Sequence, residues 1–220
     1  MDDVLIRKIA LITAVSVLFP VFLSFLNYKS KPKYLKILGL LVLTSGLSDL
    51  LSINFIRFNN EINNIYTIIQ FFILCSIFYL CFNNVKVKQL LLFSSFLFLI
   101  FSVINILLIE GFTSRNTNLR TVSGIFFIII SVYYFNYLLQ NQPVDNIIRF
   151  PMFWINSAIL IYFSGNIFLY AANNIISFER IYLFYYLIHN ILNVIKNLLF
   201  SVAFIAQFLN LKHIDIQPRS

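Results

Sequence analysis

Lys196 stands inside the most C-terminal apolar segment of the chain, with His189 and Asn193 before it at helical spacing. An ammonium near the centre of a bilayer costs ~2.5–3.5 kcal/mol on insertion scales, so such a residue faces a protein interior or a polar cavity. His189, Asn193, Lys196 and Gln207 fall at i, i+4, i+7 and i+18, on one helical face. Asn190 and Asn197 form a neighbouring line. An imidazole, an amide and an ammonium on one face can hold a small polar ligand or serve as a relay. Asp49 is the only acid well inside an apolar segment, and Ser45, Ser48 and Ser52 cluster around it. A carboxylate so placed must be paired or protonated, which makes it the natural counter-charge to Lys196, with His189 and Asn193 bridging.

Gln70, Asn105 and Asn166 complete the set. Counting 1.5 Å of rise per residue, Asp49, Gln70, Asn166 and His189 come to one level, with Asn105 slightly shallower, ~7–12 Å below one membrane edge. The expected ligand-binding or relay site is therefore Asp49, Gln70, Asn105, Asn166, His189, Asn193 and Lys196. The plainer role for any one Asn, Gln or Ser is interhelical hydrogen bonding, worth ~0.6 kcal/mol. For Asp49 and Lys196 it is a structural ion pair. Asn156, Ser157 and Ser164 add polarity to the segment of Asn166, where Gly165 permits close approach of a neighbouring helix.

The elements that must position these residues follow from composition. Of 220 residues, 60% are hydrophobic and 11% charged, against about 25% charged in soluble domains; mean hydropathy is +0.87. Seven apolar segments occupy 4–26, 35–56, 62–82, 90–109, 121–139, 150–172 and 181–210, each near the ~20 residues that cross a bilayer. The expected fold is an all-α integral membrane protein, a seven-transmembrane-helix bundle. It forms a single domain over 1–211, with a short cytoplasmic tail at 212–220. The first segment reads as a retained span, since no small-residue cleavage site follows it. Turn chemistry separates the spans at Lys31-Pro32, Asn59-Asn60, Asn83-Asn84, Gln142-Pro143 and Asn173-Asn174.

The net charge of +8 is spread over short loops, which points to lipid headgroups and not to nucleic acid. One side collects Lys29, Lys31, Lys33, Lys36, Lys86, Lys88, Arg149, Lys212 and Arg219; the other collects Arg7, Lys8, Arg57, Arg115, Arg120 and Arg180. The positive-inside rule then places the N-terminus outside and the C-terminus in the cytoplasm. The outer arginines read as headgroup contacts. Trp154, Tyr133, Tyr134 and Tyr137 read as an inner aromatic belt, and Tyr182, Tyr185 and Tyr186 as an outer one. Cys75 and Cys81, six apart on one helix, face opposite ways and read as small apolar core residues. Abundant Phe, Ile and Asn suggest an AT-rich, bacterial genome and a cytoplasmic membrane.

Seven helices with a lysine in the seventh resemble the retinal-binding microbial rhodopsins. The resemblance covers the architecture and Lys196, and it implies retinal bound there as a Schiff base. The chain departs from that family elsewhere: segment 62–82 has no acid or arginine, Leu192 and Asn193 stand where an acid would precede Lys196, and only one Trp is present. The size also looks like that of sweet-type and PQ-loop carriers, but no Pro-Gln pair occurs in any span. The membrane modules of bacterial sensor proteins match by architecture.

No nucleophile–base pair, metal set or phosphate loop is present, so the expectation is a non-enzyme without cofactor. The leading expectation is a bacterial seven-helix sensor or receptor subunit. It binds a small ligand in the outer polar layer and signals through a partner protein. The competing expectation is a small-solute or proton-coupled transporter using Asp49, His189 and Lys196 as a relay.

Overall fold

The computed structural model describes residues 2–141, 147–173 and 179–216. Among these are seven α-helices and no strand: α1 (Asp2–Phe25), α2 (Lys33–Asn54), α3 (Asn59–Cys81), α4 (Val85–Ile104), α5 (Thr117–Asn141), α6 (Pro151–Asn173) and α7 (Glu179–Ile216). Six helical stretches are long and apolar enough to cross a membrane; Leu11–Phe25 in α1 is a shorter apolar helix. Large apolar side chains such as Leu18, Phe22, Leu92, Phe96, Ile129 and Phe168 lie more than half exposed. Exposure of this kind suits lipid contact and not water. The chain is built as a helical, multi-pass membrane protein.

The helix ends follow local chemistry. Asn27 takes a left-handed conformation (φ 51°) just beyond α1, as short polar residues do at helix ends. Pro32 then precedes α2 in extended geometry. Asn84 caps α4, its side chain accepting from the Lys86 N–H at 2.9 Å. Pro151 opens α6, where its missing N–H leaves no bond unmade. Two expectations are corrected here. Asn59 and Asn60 form the first turn of α3, not a loop. α7 continues past residue 210 to Ile216, so the helix is longer than the expected segment 181–210. The Gln142-Pro143 turn, Asn174 and residues 217–220 lie outside the described residues.

The helices divide into two compact units, Met1–Leu26 with Gly124–Ser220, and Asn27–Ser123. In the second, α3 packs against both α2 and α4. Leu35, Leu38, Leu41, Leu74, Ile77 and Phe78 are fully or nearly fully buried there. Phe71 stacks on Phe98 with ring centroids 3.7 Å apart. In the first, α7 packs against α1 and α6, and it is here that most polar side chains of the stripe are found.

Candidate functional site

Gly165 makes room for Leu192 of α7. A Cβ at this position would lie 2.6 Å from Leu192 Cδ1, closer than carbon atoms pack, so the leucine occupies the space that a side chain on α6 would take. The next residue, Asn166, is fully buried. Its Nδ2 donates to the Tyr162 carbonyl at 2.7 Å, which turns its Oδ1 toward His189 Nδ1 at 2.6 Å. His189 Nε2 lies 3.1 Å from Asn193 Nδ2. Lys196 Nζ donates to Asn193 Oδ1 at 2.8 Å and lies 4.3 Å from the Tyr162 ring centroid. Lys196, only 5% exposed, thus closes a circuit: Tyr162, Asn166, His189, Asn193, Lys196 and back to Tyr162.

The donors in this circuit all point one way. With Asn166 Oδ1 accepting, His189 carries its proton on Nδ1; with Asn193 Nδ2 donating, His189 Nε2 is the lone pair. The neutral Nδ1–H tautomer satisfies both neighbours. A doubly protonated ring would set an N–H against the Asn193 amide N–H, and turning that amide would set its nitrogen against Lys196. The run of bonds from the Lys196 ammonium to the Tyr162 carbonyl is aligned and mutually polarising. The ring face of Tyr162 adds attraction, ~2 kcal/mol for a desolvated cation over an aromatic ring.

The neighbouring line on α7 is structural. Thr13 Oγ1 donates to Asn190 Oδ1 at 2.8 Å, and Asn197 Nδ2 donates to Ser16 Oγ at 2.8 Å; these bonds tie α7 to α1. On the adjacent helices, Asn156 Nδ2 donates to the Ser131 carbonyl at 2.9 Å, linking α6 to α5. All are interhelical hydrogen bonds of the ordinary membrane kind.

The other expected site residues fall in the Asn27–Ser123 unit. Asp49 is half-buried on α2, and Gln70 is buried on α3. Asn105 is fully buried where α4 passes into a π-helical turn, Asn105–Ile109. Its Nδ2 donates to Glu110 Oε2 at 2.8 Å. Glu110 Oε1 in turn accepts the backbone N–H of Thr117 at 3.1 Å and of Asn118 at 3.3 Å, satisfying two donors at the start of α5. Asn64 Nδ2 donates to the carbonyls of Phe112 and Ser114, both at 2.9 Å. In the amide orientation that satisfies both its ends, Asn116 Oδ1 accepts from Asn64 at 2.7 Å and its nitrogen donates to Glu110 and to the Gly111 carbonyl. Asn105 therefore belongs to a clasp that closes the α4–α5 loop onto α3.

The structure thus joins Asn166, His189, Asn193 and Lys196 in one circuit and sets Asn105 in a loop clasp. Tyr162 in the circuit and Asn64, Glu110 and Asn116 in the clasp are participants that the sequence did not single out. Tyr162 had a signal, one turn before Asn166 on the same face. The aromatic-belt reading needs one correction: Tyr134 is 1% exposed, buried among neighbouring side chains, whereas Tyr133 is 44% exposed. The two cysteines are unpaired thiols, Cys75 buried and Cys81 half-buried. Among the described residues no group of three His, Cys, Asp or Glu side chains could hold a metal ion.

No protein-family model matches the chain, no curated protein matches it, and no solved structure matches it.

Proposed function

We propose that the chain is a bacterial seven-helix sensor or receptor subunit, with its N-terminus outside and its C-terminus cytoplasmic. A small polar ligand engages the α6–α7 circuit, and a partner protein reads the result. The observation that carries this reading is the closed circuit from Lys196 to the Tyr162 carbonyl. A ligand that accepts a hydrogen bond from Lys196, or donates one to His189 Nε2, replaces Asn193 and frees its amide to turn. Because every bond depends on the sense of the next, the change reaches Asn166 on α6, and with it the α6–α7 contact. A helix pair whose contact runs through one hydrogen-bonded circuit is the kind of element whose equilibrium a ligand can bias.

The circuit also weighs between this reading and a proton-coupled transporter. Two of its links are carboxamides, which carry no titratable proton at ordinary pH. Such links orient groups well and conduct protons poorly.

The test is a thermal-shift screen of the detergent-purified chain against amino acids, small carboxylates, sugars and amines, repeated on His189→Leu. A compound that stabilises the wild type and not the variant is the expected result. Side of access separates the two classes. Asn193→Cys in inside-out and right-side-out vesicles should react with a membrane-impermeant thiol reagent from one face only. Reaction from both faces would instead identify a transporter.

A further inference from the structure

One end of the Asn27–Ser123 unit is cationic without admixture. Lys29, Lys33 and Lys36 stand at the start of α2, and Lys86 and Lys88 at the start of α4, with the C-terminal end of α3 between them. The acids of this unit, Asp49, Glu61 and Glu110, lie toward the opposite ends of their helices, where Arg57, Arg115 and Arg120 accompany them. A second, independent feature adjoins the lysines. A groove of about 490 Å³ opens along α3 and α4 of this unit and reaches from Ile37 and Tyr79 down to Phe72 and Leu99. Its volume falls within the ~300–1,000 Å³ of small-molecule sites. From Leu91 to Leu99 its α4 wall runs ~12 Å along the helix axis. The walls are apolar apart from small groups such as Ser76 and Ser95, and Leu92 and Phe96 on its rim are 59% and 60% exposed.

The two features meet at named residues. Tyr79 lines the groove, and Lys88 Nζ lies 5.2 Å from the centroid of its ring. Ile37 lines it too, and its neighbour Lys36 lies 5.2 Å over the Tyr28 ring with Nζ donating to the Lys29 carbonyl at 3.4 Å. Lys31, by contrast, is buried and is not part of this rim. Lys36 is thus turned toward Tyr28 and Lys29 at the same end of the unit, while Lys88, beside Tyr79, is the ammonium at the mouth. An apolar slot with a cation at its mouth and more cations at the same end matches a molecule with an anionic head and a hydrocarbon tail.

We infer that this groove is a binding site for an anionic phospholipid, whose phosphate is met by Lys88, with Lys36 adding charge at the same end, and one of whose acyl chains lies between α3 and α4. Lysine clusters next to a membrane span attract anionic headgroups with roughly fivefold in affinity per charge, and the slot supplies the chain selectivity that charge alone lacks. The site is separate from the α6–α7 circuit, so its failure leaves the proposed function standing.

The test is native mass spectrometry of the full chain released from detergent, titrated with phosphatidylglycerol and with phosphatidylcholine of the same acyl chains. Phosphatidylglycerol should be retained as a one-to-one adduct and phosphatidylcholine at least tenfold less. Lys36→Gln with Lys88→Gln should lower phosphatidylglycerol retention roughly 25-fold if the charges act independently. Ser76→Trp, an exposed position that fills the slot without touching the lysines, should lower it while leaving the melting temperature unchanged. Equal retention of the two lipids would overturn the inference. So would competition by glycerol phosphate at the same concentration as the lipid, because the chain would then contribute nothing. A dimer that carries no lipid would overturn it as well, by making a second copy the occupant.

Discussion

The Lys196 ammonium lies over the face of Tyr162, 4.3 Å from its centroid, so α7 presents its buried cation to an aromatic ring on α6. The ring face, and not the phenol alone, is the partner. Tyr162→Leu should therefore lower the unfolding free energy in detergent by ~2 kcal/mol, and Tyr162→Phe, which keeps the face, should lose markedly less. Equal losses in the two variants, read by thermal melting, would remove the ring from the site.

The Asn166–His189 bond can be tested as a pair. His189→Leu leaves the buried Asn166 carbonyl oxygen without its donor, a loss of ~1–3 kcal/mol. Replacing both partners by apolar groups of similar shape removes that penalty. Asn166→Leu with His189→Leu should thus be more stable than the sum of the single variants. Strict additivity in the melting temperatures would mean that the two side chains are not coupled.

Two glycines make opposite predictions. At Gly165 a Cβ meets Leu192 Cγ at 3.2 Å and both its methyls closer still, so Gly165→Ala must move α7 or force Leu192 off its rotamer, at ~1–3 kcal/mol. At Gly124 the nearest atom to a Cβ is Phe163 Cδ1 at 3.6 Å, an ordinary contact. Gly124→Ala should stabilise the chain by ~0.5–1 kcal/mol through helix propensity. Melting curves of the two variants should shift in opposite directions.

Glu110 joins the end of α4 to the start of α5. Glu110→Gln keeps the size but halves the acceptors and removes the charge at the helix N-terminus, for a loss of ~1 kcal/mol. Hydrogen exchange at the amides of Thr117 and Asn118 should quicken, with no change in the amides of α6. Unaltered exchange at both positions would show that the clasp does not hold the helix start.

Orientation has its own test. Ser30 is exposed beside Lys29 and Lys33. With the lysine-rich loop in the cytoplasm, Ser30→Cys should resist an impermeant thiol reagent applied to intact cells and react once the membrane is opened. Labelling in intact cells would invert the orientation.

The stripe on α7 could be read from sequence because it uses one helix and its natural period: His189, Asn193 and Lys196 stand four and three residues apart. Asn166 could be reached by counting depth along an antiparallel neighbour. Tyr162 could be reached only by its spacing, one turn before Asn166, because a tyrosine in an apolar segment offers no polar contrast, and its ring matters here for its face. Asn105 enters the expected set by the same depth counting, which assumes regular helices; periodicity does not announce the π-helical turn that begins at Asn105. The clasp partners Glu110 and Asn116 are loop neighbours whose bonds depend on how the loop closes, which periodicity does not encode. The helical class and most span limits were legible to within a few residues, since hydrophobic length sets them directly.

The one-way order of the α6–α7 hydrogen bonds has a meaning for charge. An ammonium has no lone pair, so while Lys196 is charged it can only stand at the head of the sequence, and every amide behind it must face as it does. The Tyr162 carbonyl fixes the other end: it can only accept, so Asn166 Nδ2 faces it, Asn166 Oδ1 faces His189, and the imidazole proton is held on Nδ1. The row is thus set in one sense from both ends, and that single imidazole proton, visible in the nitrogen chemical shifts of the ring, is a gauge of whether Asn166 keeps its place on α6.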